Sequence, residues 1–226
     1  MVTRIPMAAA QRVVAVSPDD GSAIDLRDPA TAAFLSWLVP GLGQLYQGRR
    51  LKGWLCMAAI LGSLFAGLWI GGGRVAYCLW KPGARRLEFI GQAGIGGVAV
   101  PALVQSWSLA ASGRPLLPGG WFAPPLLPHQ AVAPAYAARL ERTDPGMAFY
   151  RDGRDNTLRS GADQLSVWYL ALGRFFDIGT LYTTIAGLLN LLVVYDAWAG
   201  PLRDPGPAPA DDESAPGRDR RKGATR

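Results

Sequence analysis

Ionisable chemistry is scarce in this chain. Of its 226 residues, one is histidine, two are cysteine and 18% are charged, where soluble domains carry about 25%. A lone histidine, His129, offers no pair for a metal site and no buried triad. Cys56 and Cys78 lie at opposite ends of an apolar stretch, roughly 30 Å apart at helical rise, far beyond the roughly 7 Å a disulfide tolerates. Both are read as free thiols. Asp152, Asp155 and Asn156 lack the ligand spacing and closing glutamate of a calcium loop. The chain is therefore expected to be non-enzymatic, with no catalytic residue, cofactor or metal.

Apolar residues are abundant instead, at 50% of the chain. The mean hydropathy of +0.13 averages apolar windows with polar tails. Four long windows lack any charge: 29–48, 53–73, 89–113 and 178–195. Each approaches the roughly 20 residues a helix needs to cross a bilayer core, and none has the polar face that a soluble surface helix would show. A fifth uncharged window, 115–138, contains Pro115, Pro118, Pro124, Pro125, Pro128 and Pro134, which would leave backbone groups unpaired in lipid. It is read as a loop at the membrane surface. Trp54, Trp69, Trp107 and Trp198 lie near window ends, as interfacial indoles do; Trp37 alone sits inside a window.

The predicted fold is an all-α integral membrane protein of four transmembrane helices (28–48, 53–73, 88–112 and 175–200), the first broken at Pro-Gly. Residues 1–27 and 201–226 are expected to be disordered tails. The 114–174 segment is predicted as an extramembrane loop, partly helical over 135–142 and 164–172, with a turn at 150–156. Asp28-Pro29 reads as a helix start. The net charge of +6 is attributed to Lys and Arg beside the windows, which meet anionic headgroups of the bilayer; no nucleic-acid motif accompanies them. The charge rule for orientation divides. Cytoplasmic termini in the cell membrane satisfy Arg27, Lys81, Arg85, Arg86 and the basic tail, but leave Arg49, Arg50 and Lys52 outside. A re-entrant first window is the alternative, because Pro40, Gly41 and Gly43 weaken its middle.

Residues 35–53, LSWLVPGLGQLYQGRRLKG, form the most distinctive stretch: an apolar helix interrupted at Pro-Gly-Leu-Gly, a tyrosine one turn on, then a basic turn. Pro40, Gly41, Gly43, Tyr46 and Gly48 carry the pattern. It resembles the helix-turn-helix core of the two-transmembrane domain family, over about residues 28–73. Where better-known members carry an acidic-arginine-aromatic triplet, this turn reads Gln47-Gly48-Arg49-Arg50. The whole chain is similar to a bacterial membrane family of unknown function that joins such a hairpin to further helices.

In the last window Gly179, Thr183 and Gly187 recur every four residues, a stripe of small side chains that lets helices pack closely. Asn190 follows near the same side and would require an interhelical hydrogen bond. Asp196 at the far end is either part of an ion relay or an interfacial carboxylate paired with a basic loop. Gly91, Gly94 and Gly97 run along the third window, where Pro101 is a candidate kink. The expected function is a scaffold that docks helices on each other, on a second copy or on other membrane proteins. The alternative is a small transporter or ion conductor using Asn190 and Asp196. Where Gln92, Gln105 and Asn190 point separates the two.

Overall fold

A computed structural model describes residues 14–16, 23–25, 28–81 and 84–200. The disorder expected of the 201–226 tail, and of most of residues 1–27, falls outside these residues. Within the N-terminal segment, Val14–Val16 (β1) pairs antiparallel with Ala23–Asp25 (β2). The fold is mostly helical, with short two-stranded hairpins as its only sheets among the described residues.

The first window is a folded-back hairpin. Asp28 accepts a hydrogen bond from the Thr31 amide at 3.0 Å, and Pro29 fits the first turn, starting α1 (Pro29–Leu38). Ten residues rise only about 15 Å. Val39 is extended (φ −136°, ψ 118°), as a residue before proline must be. Gly41 then takes φ 82° and reverses the chain into α2 (Leu42–Tyr46). Only glycine fits there, because a Cβ would also meet the Gly53 carbonyl.

The second window forms α3 (Arg50–Ile70). Trp80–Lys81 (β3) and Ala84–Arg85 (β4) make a small hairpin. The third window divides into α4 (Glu88–Gln92) and α5 (Gly96–Ser112). The predicted single helix over 88–112 is thus corrected. Its break falls at Ala93 to Ile95, while Pro101 stays inside α5.

The segment read as a surface loop is instead a folded cap with its own core of Leu126, Val132, Tyr136, Leu140 and Met147 around Leu109. It contains α6 (Pro134–Thr143), an antiparallel pair of Phe149–Arg151 (β5) with Leu158–Ser160 (β6), and α7 (Gln164–Leu172). Proline here does not mean exposure, since Pro124 and Pro125 are buried. The last window becomes α8 (Arg174–Ala199).

Helices α3 and α8 are long and apolar enough to cross a membrane, at about 32 and 39 Å by helical rise. They run antiparallel. Lys52 meets Asp196 at one end, and Gly67 packs on Gly179 towards the other. The remaining windows enter between them from opposite ends. The α1–α2 hairpin lies beside the Asp196 end. From the cap end, Arg86 touches Thr180, Gln92 touches Thr183 and Gly94 abuts Gly187, so α4 descends along α8; α5 then returns, packing Ala99 and Ala102 on Phe89 and Cys78. The two hairpin tips meet halfway. There the Trp37 indole donates to the Ala93 carbonyl at 3.0 Å, which explains the one tryptophan found inside a window.

Candidate functional site

The residues singled out in the sequence assemble along one side of α8, in a terminal cluster and a central seam. The terminal cluster is centred on Asp196. Arg49 Nη1 lies 2.9 Å from its Oδ2 and Lys52 Nζ 2.7 Å from its Oδ1. Gln44 Nε2 donates to Oδ2 at 3.2 Å and to the Val193 carbonyl at 2.8 Å. Gln47 Nε2 reaches the Ala197 carbonyl at 2.6 Å. Ser36 Oγ donates to Gln44 Oε1 and accepts from the Gly43 amide. Arg49 is only 3% exposed, so its charge depends on this carboxylate.

The motif residues act here through the backbone. Pro40 and Gly41 form the buried tip of the first hairpin, and a Cβ at Gly43 would collide with the Ala32 carbonyl. Gly48 turns the chain at φ 87°. Tyr46 points outward and is exposed. The side chains that grip α8 are Gln44 and Gln47; two amides set among glycines in an uncharged window are the signal that the sequence carries. The same contacts place the Arg49 turn and the end of α8 together. Four successive crossings would put them on opposite faces.

The central seam is formed by the small-residue stripe. Gly179 faces the Gly67 carbonyl and Gly71, and Gly187 faces the Gly91 carbonyl; a side chain at either would strike backbone. Thr183 Oγ1 accepts from Gln92 Nε2 at 2.7 Å and donates to the Thr180 carbonyl at 2.9 Å. Gln92 also donates to Val75 O at 2.9 Å. Asn190 Nδ2 donates to two carbonyls, Ser36 O and Gly94 O, both at 2.9 Å, so one amide ties both hairpin tips to α8. Asn190 Oδ1 and Gln92 Oε1 are buried without a hydrogen-bond partner.

Gln105 lies apart. It accepts from the Leu116 and Leu117 amides and donates to Trp121 O, joining α5 to the cap. Gln92, Gln105 and Asn190 therefore have separate hydrogen-bond neighbours. A second carboxylate knot fastens the cap. Buried Asp144 meets Arg74 Nη2 at 2.6 Å, Gln164 Nε2 at 2.6 Å and Trp168 Nε1 at 3.0 Å.

No group of three or more His, Cys, Asp and Glu gathers among the described residues. His129 contacts the Tyr150 hydroxyl on the exposed cap hairpin, and burial raises the Cys78 thiol above its ordinary value. No curated protein and no solved structure matches the chain. One family model runs over residues 31–207, from the first turn of α1 through the seam and cap to beyond α8, and the chain accordingly belongs to DUF6677, a family of unknown function.

Proposed function

We propose that this protein is a non-enzymatic membrane scaffold that crosses the bilayer twice, through α3 and α8, with α1–α2 and α4–α5 as re-entrant hairpins from opposite faces. The carrying observation is that Gln44, Gln92 and Asn190 all bind backbone carbonyls of neighbouring segments. Such bonds let broken helices persist at membrane depth. They join segments and leave no polar path between them.

A lipid setting for α3 and α8 is supported by burial. Only 28% of the apolar window in each helix is buried, whereas a core helix of a soluble protein would be mostly covered. Phe65, Leu181, Leu188 and Leu192 face outward, too large an apolar surface to leave in water. Trp54 and Trp69, both exposed, lie about 22 Å apart along α3, near the two boundaries where indoles partition. The outward faces are free to meet lipid, a second copy or another membrane helix.

Two crossings also redistribute the charges, moving Arg49, Arg50 and Lys52 to the face of the termini and Lys81, Arg85 and Arg86 to the face of the cap. Arg27, Arg49, Arg50, Lys52 and the basic tail then belong to one face, the cytoplasmic one. The opposite face carries the cap, whose length exceeds the roughly 60 residues over which the charge rule operates. The test is labelling of single cysteines at Arg50→Cys, Ala210→Cys and Arg154→Cys after replacing Cys56 and Cys78 by serine. Positions 50 and 210 should label from one side and 154 from the other. Shared labelling of 50 and 154 would restore four crossings. Crosslinking in native membranes should recover a self-dimer or a defined neighbour; recovery of neither rejects the scaffold.

The transport reading draws on the unpaired Asn190 Oδ1 and Gln92 Oε1 in the seam. Ion or solute flux in proteoliposomes, lost on Asn190→Leu, would favour it over the scaffold.

A further inference from the structure

A cleft of about 720 Å³ opens at the cap end of α8, between that helix, the β3–β4 hairpin and the cap. Arg86 lines it and is 7% exposed. Its Nη2 donates to Thr180 Oγ1 at 2.9 Å, and its guanidinium lies 3.9 Å over the Tyr77 ring. Nη1 has no hydrogen-bond partner. Among the described residues the only carboxylate within 4.0 Å is Glu88, at 3.9 Å from Nε and itself largely exposed. Arg49 and Arg74, by contrast, meet carboxylates at 2.9 and 2.6 Å. Burial lowers Arg86 below its ordinary value and pushes the Tyr77 hydroxyl up to about 12, so Tyr77 stays neutral and supplies no counter-charge. A cation this far from water calls for an anion.

The remaining lining indicates which anion. Leu79, Leu127, Phe176 and Leu181 give the cleft apolar walls, and Leu181 continues onto the exposed face of α8 with Leu188 and Leu192. Glu88, Asp163 and Asp177 also line it. Asp177 already accepts from the Tyr169 hydroxyl at 3.0 Å. A buried cation, nearby carboxylates and an apolar exit together match a headgroup bearing both a phosphate and an amine, attached to acyl chains. Exposed Trp80, with Arg85 5.7 Å from its ring, is a side chain of the kind that partitions to the headgroup region.

We propose that this cleft binds one aminophospholipid, its phosphate on Arg86, its amine towards Glu88, Asp163 and Asp177, and an acyl chain along Leu181. The assignment rests on α8 being a membrane crossing. It is tested by native mass spectrometry of the full chain in non-ionic detergent, titrated with phosphatidylethanolamine, phosphatidylglycerol, diacylglycerol or soluble phosphoethanolamine. The wild-type protein should retain one phosphatidylethanolamine, in preference to the other three. Arg86→Gln should weaken retention about tenfold or more, as should Leu181→Trp, which fills the apolar wall; Arg151→Gln, remote from the cleft, should leave it unchanged. Equal retention by Arg86→Gln at unchanged Tm overturns the proposal. Equal retention of diacylglycerol does the same, and phosphoethanolamine binding as tightly as the lipid makes the site one for a soluble phosphate. If Arg86→Gln does not fold, full retention by Leu181→Trp still overturns it. Cysteine labelling reads the crossings without reference to lipid, so lost lipid selectivity with the labelling pattern intact rejects this inference alone.

Discussion

The two half-length hairpins occupy opposite ends of the same helix and are held by different means. The α1–α2 hairpin reaches α8 through side chains: Gln44 and Gln47 on carbonyls, and Arg49 with Lys52 on Asp196. The α4–α5 hairpin reaches it mainly through missing side chains, with Gly91 and Gly94 against Gly187, Gln92 bonded to Thr183 and the Gly94 carbonyl accepting from Asn190. The difference follows depth. Near a helix end charge can be partly hydrated, and Asp196 remains 27% exposed; midway along α8, close backbone approach supplies van der Waals contact without desolvating an ion. Asn190 stands where the two modes meet.

Substitutions should separate the modes. The largest effect is expected from Gly187→Leu, whose side chain would strike the Gly91 carbonyl; α4 would have to leave α8, and gel filtration in detergent should show no monodisperse protein. Asp196→Ala comes next. It leaves buried Arg49 without its carboxylate, a loss of about 3–5 kcal/mol, read as a fall in Tm; a smaller loss on Asp196→Ala than on Asn190→Leu would reverse the proposed division of labour. Asn190→Leu removes both carbonyl bonds and should cost about 1–2 kcal/mol, loosening both tips together, which crosslinking between positions 38 and 97 would detect. Trp37→Phe keeps the ring but loses one bond to Ala93, about 1 kcal/mol.

The smallest effect lies in the cap. Hydrogen bonds from Thr157 lower the exposed Asp155 carboxyl below 3.8. A carboxylate lowered on folding contributes stability above its unfolded value and loses it as pH falls through the folded one. Asp155→Asn should therefore slightly lower the stability of the cap, followed by tryptophan fluorescence, above about pH 4, and the difference from wild type should vanish as pH falls below that, leaving both hairpins untouched.

The sequence was most legible where one physical rule acts alone. Uncharged length located α3 to within three residues and α8 to within four at either end, and the 164–172 periodicity gave α7. It was least legible where two rules compete. The first window is long enough to cross, but Pro40 and Gly41 divide it, and absence of charge carries no information about direction. In the third window the conspicuous breaker, Pro101, sits in an intact helix, while the break falls at 93–95, where the Gly187 carbonyl leaves Gly94 no room for a side chain. Composition also misjudged the cap, whose buried prolines support a core. The site showed the same limit: glycines were noticed as packing residues, whereas the role of Gln44 depended on carbonyls about 150 positions away.

That separation has a consequence for biosynthesis. Residues 174–199 leave the ribosome after every other described helix, yet Ser36, Gln44, Gln47, Arg49, Lys52, Gln92 and Gly94 all find their partners on them. Until α8 arrives, both hairpins are incomplete and a basic turn lacks its carboxylate. Assembly is therefore timed by the emergence of α8, which acts as the closing pin.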